Sequence, residues 1–379
     1  MQYHYLNNAG AGLMSPVTLQ KVSEFLKLEA ELGAGPASDL WRSDLDAFYK
    51  LTSTLLNAES PDAVAFTDSA SRGWNLALNG LALGKGDAIV TLSSEYGSNL
   101  ISLYSLASRV GCSVRMIPCA QDGSFSMEEL EDALKGAKLL AVSHAAFHAS
   151  IVNPVEEMGE LARKYGAAYL VDGAQAAGHI PVDVRKIGCD AYVASGRKWL
   201  GGPRGTAMLF VRPDAPIQMT HTDLASAELQ FDAPGNASGV KPRAGARRFE
   251  LDERNNAGML GLNNAIRECL DVGIGKVASG ASSRGTRLRK CIAANPHLSL
   301  VGPVASPSGT AAFCLMDPQE EVRVTALFHE VNLVIKVLDP QDYPCFFQGE
   351  EPQRIFRISP RHSTTREALS AVEEIIKSI

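Results

Sequence analysis

Long apolar runs are missing from this chain of 379 residues. No stretch approaches the roughly 20 consecutive apolar residues that a membrane-spanning helix needs. The first ten residues, MQYHYLNNAG, have neither the basic start nor the apolar stretch of a secretory signal or transit peptide. These absences predict a cytoplasmic protein that does not bind membranes.

Strong positive charge and metal-binding cysteine spacings are also missing. The net charge is −6 and the basic residues form no long run, so we expect no nucleic acid partner. The seven cysteines are scattered without C-x-x-C spacing, which argues against a zinc site or a disulfide framework. We therefore expect no bound metal.

Short apolar segments that alternate with helical patterns dominate the first two thirds of the chain. The segments AVAFT, DAIVTL, KLLAVS, AAYLV, DAYVA and TAMLFV predict buried strands. Strands and helices in alternation predict an α/β fold with a mainly parallel sheet covered by helices on both faces.

The pattern changes after the Pro-, Gly- and Arg-rich stretch 213–256, which reads as an irregular connection or interface. The later elements predict a smaller α+β domain, whose last helix opens at Thr364 with a capping-box spacing to Glu367. We divide the chain into an N-terminal arm (1–20) that joins the small domain and the active site, a large domain (21–250) and a small C-terminal domain (251–379).

Two charged residues follow predicted strands, at the edge where parallel sheets bind ligands. Asp172 comes directly after AAYLV, and Lys198 follows DAYVAS. An aspartate there can also be a helix cap or an ion-pair partner. Together, however, the two suggest a pyridoxal phosphate site, in which a lysine forms a Schiff base and an acid keeps the pyridine nitrogen protonated. Ser69 opens a helix after AVAFT, whose free N–H groups can bind the phosphate.

In this order the motifs resemble those of fold-type I pyridoxal phosphate enzymes of aminotransferase class V. That group contains cysteine desulfurases and proteins similar to isopenicillin N epimerase. The resemblance covers nearly the whole chain and rests on YLNNAGAGLMSP, FTDSAS, SSEYGSN, VDGAQ and SGRKW. It implies a seven-stranded sheet, pyridoxal 5'-phosphate as cofactor, a homodimer and an amino acid as small-molecule substrate.

The resemblance also implies which residues contact the cofactor. Arginine at position 197 replaces a histidine that many relatives have, and can still bind phosphate through two hydrogen bonds. The implied roles are Lys198 for the Schiff base, Asp172 for the pyridine nitrogen, Gln175 for the phenolic oxygen, Ala174 beneath the ring, Tyr96 stacked on the ring or packed in the core, and Ala70, Ser71, Ser195 and Arg197 for the phosphate.

Three residues are predicted to contact the substrate. RIFRISPRHSTT resembles the segment that clamps the α-carboxylate, which makes Arg357 the clamp unless it serves in a structural ion pair. His148 stands where the family has an asparagine, and can bond the phenolic oxygen, act as an acid or base, or simply pack. Asn8 is the third. We expect loops near 8–13, 219–232 and 340–350 to form the side-chain pocket.

The motif spellings are most similar to the epimerase-like and carbon–sulfur lyase branch. They favour a lyase that cleaves the Cβ–S bond of a cysteine-derived amino acid by β-elimination. A transferase, either an aminotransferase or a desulfurase, is the alternative, and an epimerase is the third. A desulfurase needs a nucleophilic cysteine, and Cys345, 12 residues before Arg357, has no adjacent basic residue to lower its pKa. A scaffold without activity is disfavoured because Lys198 and Asp172 are both present.

Overall fold

The computed structural model describes residues 3–220, 222–347 and 353–379. Parts of the predicted arm (1–2) and of two predicted substrate loops (221 and 348–350) lie outside the described residues. The helices are α1 (Pro16–Leu32), α2 (Ala34–Leu40), α3 (Arg42–Leu56), α4 (Ala70–Asn79), α5 (Gly97–Val110), α6 (Met127–Leu134), α7 (Val155–Tyr165), α8 (Val184–Ile187), α9 (Asn256–Val272), α10 (Ile274–Ala293), α11 (Glu321–Glu330) and α12 (Arg366–Ser378). The strands are β1 (His4–Tyr5), β2 (Val64–Thr67), β3 (Ala88–Leu92), β4 (Ser113–Ile117), β5 (Leu139–Ser143), β6 (Ala168–Asp172), β7 (Ala191–Ser195), β8 (Ala207–Val211), β9 (Ala227–Ala233), β10 (Asn236–Pro242), β11 (Leu298–Leu300), β12 (Ala311–Leu315), β13 (Leu333–Val334), β14 (Lys336–Leu338) and β15 (Ile355–Ile358).

The central sheet has seven strands in the order β2-β8-β7-β6-β5-β3-β4. All neighbouring strands are parallel except the two pairs that involve β8. Leu170 and Val171 of β6 pack in separate apolar cores, because successive strand residues point to opposite faces. One core contains Trp74 of α4 and the other Met158 of α7. Helices therefore cover both faces, and the predicted fold class is confirmed.

A second, antiparallel sheet has the order β11-β12-β15-β14. Phe313 and Phe356 stack there with ring centroids 5.1 Å apart, in a core shared with α10 and α12. Strand β1 pairs with β13 in a separate two-stranded sheet, and an isolated bridge between Asn7 and Ser359, just after β15, ties the N-terminal arm to the antiparallel sheet. Helix α9 follows the predicted boundary at 251 yet packs on α1 and α3. The domain boundaries themselves stay a prediction.

The stretch predicted to be irregular contains a β-hairpin formed by β9 and β10. Nearly all of its residues are exposed, including Leu229 and Phe231 at 58% each. Strand β9, AELQFDA, does alternate apolar and polar residues, but the Pro-, Gly- and Arg-rich composition of the surrounding stretch outweighed this period-2 signal in the prediction. The expectation of an irregular connection is wrong for this segment.

The last helix begins one residue later than predicted. The Thr365 hydroxyl accepts a hydrogen bond from the Ala368 amide at 3.3 Å and caps α12. The Thr364 hydroxyl instead accepts from the Arg361 amide at 2.9 Å and closes the preceding turn. Two adjacent threonines offer the same cap chemistry, and the local turn decides which of them is used.

Candidate active site

A cavity lies at the carboxyl ends of the central strands, where the functional residues were predicted to lie. All nine residues predicted to contact a cofactor line it. The lining residues are Ser69, Ala70, Ser71, Tyr96, Ser143, Ala145, Phe147, Asp172, Ala174, Gln175, Ser195, Arg197 and Lys198. The parallel register brings them together, since Ser143 of β5 pairs with Asp172 of β6 and Asp172 pairs with Val193 of β7.

Lys198 lies in the loop after β7, against the N-terminal arm. The Gly12 amide donates to the carbonyl oxygens of Arg197 at 2.7 Å and Lys198 at 3.1 Å. A Cβ atom at position 12 would collide with the Lys198 carbonyl, so only glycine allows this approach. The arm therefore fixes the backbone that carries the lysine.

The ammonium group of Lys198 is enclosed by protein although part of the side chain faces the cavity. Burial, reinforced by the charges of Arg197 and Arg357, lowers the pKa of Lys198 to about 8. The Asp172 carboxylate acts in the opposite direction and favours the ammonium form. An amine with a lowered pKa is more often neutral and hence nucleophilic near neutral pH.

Asp172 ends β6 with its carboxylate held by two donors. Oδ1 accepts from the Ala174 amide at 2.8 Å, and Oδ2 accepts from Asn99 Nδ2 at 2.8 Å. The residue is 7% exposed. A buried carboxylate costs free energy unless it is hydrogen-bonded, and these two bonds meet that requirement while one edge of the side chain lines the cavity.

The opposite side of the cavity can bind an anion. Ser69 caps α4, its hydroxyl accepting from the Arg72 amide at 3.1 Å. The amides of Ala70 and Ser71 lie in the first turn, where a helix offers them no backbone acceptor. Arg197, which donates to the Gly10 carbonyl, adds positive charge beside them. The site thus combines a helix N-terminus with a guanidinium group.

Aromatic side chains form another wall. Tyr96 contacts Phe147 edge to face, with centroids 4.9 Å apart, and Lys198 Nζ lies 6.0 Å from the centroid of the Tyr96 ring. Gln175 is held from both ends, since Nε2 donates to the Ala9 carbonyl and Oε1 accepts from Trp199 Nε1, both at 2.9 Å. Phe147 was not predicted to line the site, although the adjacent His148 was predicted to contact the substrate.

The three residues predicted to contact substrate do not line this cavity. Arg357 is 3% exposed; Nη1 donates to the Phe147 carbonyl at 2.6 Å and Nη2 to Asn7 Oδ1 at 3.1 Å. Asn8 is fully buried and donates to the Ser359 carbonyl at 2.7 Å. Arg357 therefore bonds the backbone of a residue that lines the cavity without lining it itself, and its role as a clamp stays a prediction.

His148 is fully buried in an aromatic cluster, 4.2 Å from the ring centroid of Phe346. Neither ring nitrogen has a partner among the described residues. Burial, together with the charge of Arg357, lowers the pKa of His148 to about 3. The imidazole is accordingly neutral at physiological pH.

Cys345 is half-buried and does not line the cavity. Burial raises the pKa of its thiol above the ordinary value. The described part of the chain has no group of three or more His, Cys, Asp or Glu side chains arranged to hold a metal ion. Nor does any helix within it have the length and apolar character to cross a membrane.

Comparison with known proteins yields consistent matches. The aminotransferase class-V family model matches residues 4–337. A cysteine desulfurase of Escherichia coli O127:H6 (strain E2348/69 / EPEC) is 30% identical over 307 residues, which cover 77% of this chain and 75% of that protein.

Solved structures match over almost the whole length. The apo structure of a cysteine desulfurase from Thermococcus onnurineus NA1 has a TM-score of 0.87 at 24% identity, covering 100% of this chain and 95% of that one. The cystine C-S lyase C-DES, in complex with its product cysteine persulfide, has a TM-score of 0.87 at 22% identity, covering 99% and 97%. A mutant of C-DES, with a TM-score of 0.87 at 21% identity and coverage of 99% and 96%, carries glycine covalently linked to its pyridoxal phosphate cofactor. At these identities the structural matches show the fold alone.

Proposed function

Because the chain belongs to aminotransferase class V, we propose that it cleaves the carbon–sulfur bond of cysteine or of a cysteine-derived amino acid. Pyridoxal phosphate, which the motifs predicted, is the cofactor of this family. The observation that carries the proposal is that Lys198 and Asp172 line one buried cavity beside the N-terminus of α4.

The residues of the cavity fit this cofactor. Lys198 supplies a buried amine, Asp172 an oriented carboxylate, and the first turn of α4 an anion site. When bound, the cofactor supplies an aldehyde for covalent attachment and a ring that withdraws electrons from the substrate. We infer that Asp172 holds the pyridine nitrogen, that Ser71, Ser195 and Arg197 hold the phosphate, and that Tyr96 and Ala174 flank the ring.

Lys198 is the group placed to move a proton at the substrate's Cα. Its pKa of about 8 allows it to act as a base when neutral and as an acid when protonated, near neutral pH. Arg357 is our proposed partner for the α-carboxylate, which requires a side chain or loop to move, because the guanidinium bonds the Phe147 carbonyl and does not line the cavity.

Two reactions cleave this bond, and we place desulfuration first. In a desulfurase a cysteine thiolate attacks the substrate's sulfur, forms a persulfide and leaves alanine. The relatives at 30% identity that are named cysteine desulfurase support this reaction over the β-elimination that the motif spellings favoured. The predicted homodimer and cytoplasmic location stay predictions.

One observation favours β-elimination as the second candidate. The raised pKa of Cys345 opposes the thiolate form that a desulfurase needs. An elimination needs only a base and an acid at Lys198, and it releases pyruvate and ammonia after the sulfur group has left Cβ.

Products and one variant separate the two reactions. Desulfuration predicts alanine as the product of cysteine, a persulfide trapped on Cys345, and a loss of about a thousandfold or more in Cys345→Ser, since loss of an essential nucleophile costs factors of this size. Cys112→Ser, at another half-buried cysteine, is the control and should keep full activity. Pyruvate and ammonia from a cysteine S-conjugate, together with an active Cys345→Ser variant, would contradict desulfuration and establish the lyase.

A further inference from the structure

A second carboxyl group is buried behind the cofactor end of the cavity. Glu95, in the turn between β3 and α5, is 1% exposed. Its Oε1 accepts from the Tyr96 amide at 2.8 Å, from Asn99 Nδ2 at 2.9 Å and from the Ser143 hydroxyl. Its Oε2 has no partner among the described residues. An ionised carboxylate in this position would leave one charged oxygen without a donor, at a considerable cost in free energy.

Asn99 joins this group to the active site. The same Nδ2 atom that donates to Glu95 also donates to Asp172 Oδ2 at 2.8 Å. Asn99 is itself 1% exposed, in the first turn of α5. One amide therefore gives one hydrogen to each of two carboxyl groups. Because two like charges so close together disfavour each other, the Glu95 carboxyl binds a proton more readily beside Asp172 than it would alone.

The groups around Glu95 determine how readily its carboxyl group binds a proton. Glu95 faces Tyr96, which precedes α5, Asn99 of α5, Ser143 of β5 and Asp172 of β6, and Asp172 is the only charged group among them. Burial first, and the charge of Asp172 second, raise the pKa of Glu95 to about 7. Asp172, by contrast, interacts favourably with the Lys198 ammonium across the cavity. The surroundings therefore favour the protonated form of Glu95.

We propose that Glu95 is a positioning residue that acts through Asn99 on Asp172, so that its protonation state sets the charge of the carboxyl unit behind the cofactor's ring nitrogen. As a neutral acid, Glu95 leaves Asp172 as the single negative charge of the unit. As a carboxylate, it adds a second negative charge, which favours the protonated forms of the ring nitrogen and of the Lys198 nitrogen. This inference rests on the proposed placement of the cofactor with its nitrogen at Asp172.

The test compares Glu95→Gln with the wild type as cofactor-loaded proteins. Glutamine keeps the shape and the Oε1 acceptor but cannot ionise. We expect the pH-dependent change in the visible absorption of the bound cofactor to move to lower pH by on the order of one unit in Glu95→Gln. Glu128→Gln, at an exposed glutamate of α6, is the matched control and should titrate like the wild type. An unshifted titration in Glu95→Gln would overturn the proposal.

A double-mutant cycle tests the path through Asn99. In an Asn99→Ala background the substitution Glu95→Gln should shift the titration less than it does in the wild type, because the shared amide is gone. Equal shifts in both backgrounds would show that Glu95 acts without Asn99 and would contradict the path. Thermal unfolding of each variant identifies any general loss of structure.

Infrared spectroscopy separates this proposal from the proposed function. As the pH rises from about 6 to about 8, the infrared band of a protonated carboxyl group should disappear from the wild-type spectrum. Glu95→Gln should lack this band at every pH. The band is measurable whether or not the protein carries out the proposed reaction. Its absence from the wild type would overturn the role of Glu95, whereas failure to bind pyridoxal phosphate would overturn the proposed function.

Discussion

The cofactor region and the region around Arg357 are built in different ways. In the first, Asp172 ends one strand and Lys198 follows the neighbouring strand of the same sheet, and Asp172 has hydrogen-bond partners on both oxygens. In the second, Arg357 bonds residues 210 and 350 positions away in the chain, while its Nε and both nitrogens of His148 have no partner among the described residues. The cofactor region is preorganised by sheet order, whereas the Arg357 region contains buried polar atoms without a hydrogen-bond partner among the described residues.

The largest effect is expected in the cofactor region. Lys198→Ala should reduce turnover by about 10,000-fold or more, because the variant loses both the attachment point and the group that moves the Cα proton. In the wild type, borohydride should remove the visible absorption and fix the mass of the cofactor on the peptide that contains Lys198, as measured by mass spectrometry. A colourless wild-type protein that binds no added pyridoxal phosphate would contradict the site.

The Arg357 region should respond in substrate binding alone. Arg357→Ala should raise KM for the amino acid by about 30-fold to 1,000-fold, which corresponds to loss of about 2 to 4 kcal/mol from a charge-assisted pair. The absorption of the bound cofactor should hardly change. Arg354→Ala is the control, since Arg354 lies three residues away but is half-exposed and pairs with Glu321 and Asp339. Unaltered kinetics in Arg357→Ala would remove this residue from the substrate site.

The pH dependence of cofactor attachment sharpens the description of Lys198. Only the neutral amine attacks the aldehyde, and the pKa of Lys198 is lowered to about 8. The rate at which apoprotein develops colour on addition of pyridoxal phosphate should therefore rise about tenfold per pH unit below that value and level off above it. A lysine with the ordinary pKa of about 10.4 would give a rate that continues to rise well beyond pH 9.

The smallest effects come from two helix caps of the same type. Ser69→Ala before α4 and Thr365→Ala before α12 each remove one hydroxyl that accepts a hydrogen bond from a backbone amide. Each substitution should therefore lower the free energy of unfolding by about 1 kcal/mol. Only Ser69→Ala should also weaken cofactor binding, by about fivefold in Kd, because α4 presents its N-terminus to the cavity. Equal cofactor affinities would show that the phosphate does not bind at α4.

Much of the cofactor region could be predicted because its signals are local. SGRKW and VDGAQ each combine an apolar strand with the charged residue that follows it, and a parallel sheet places such strand ends side by side. Glu95 and Asn99 lie in SSEYGSN, the same short motif that gave Tyr96. Their link to Asp172 was not predicted, because it depends on the distance between two strand ends rather than on spacing within a motif.

The sequence by itself determined the fold class, the family and nine of the thirteen residues that line the cavity, because strand and helix periods and short motifs encode them within a few neighbouring residues. The tertiary structure decided that Phe147 rather than His148 faces the cavity, that Asn7 holds Arg357, and that Asn99 bridges two buried carboxyl groups. These contacts join segments far apart in the chain. Their geometry follows from how packed elements meet, which no local pattern specifies.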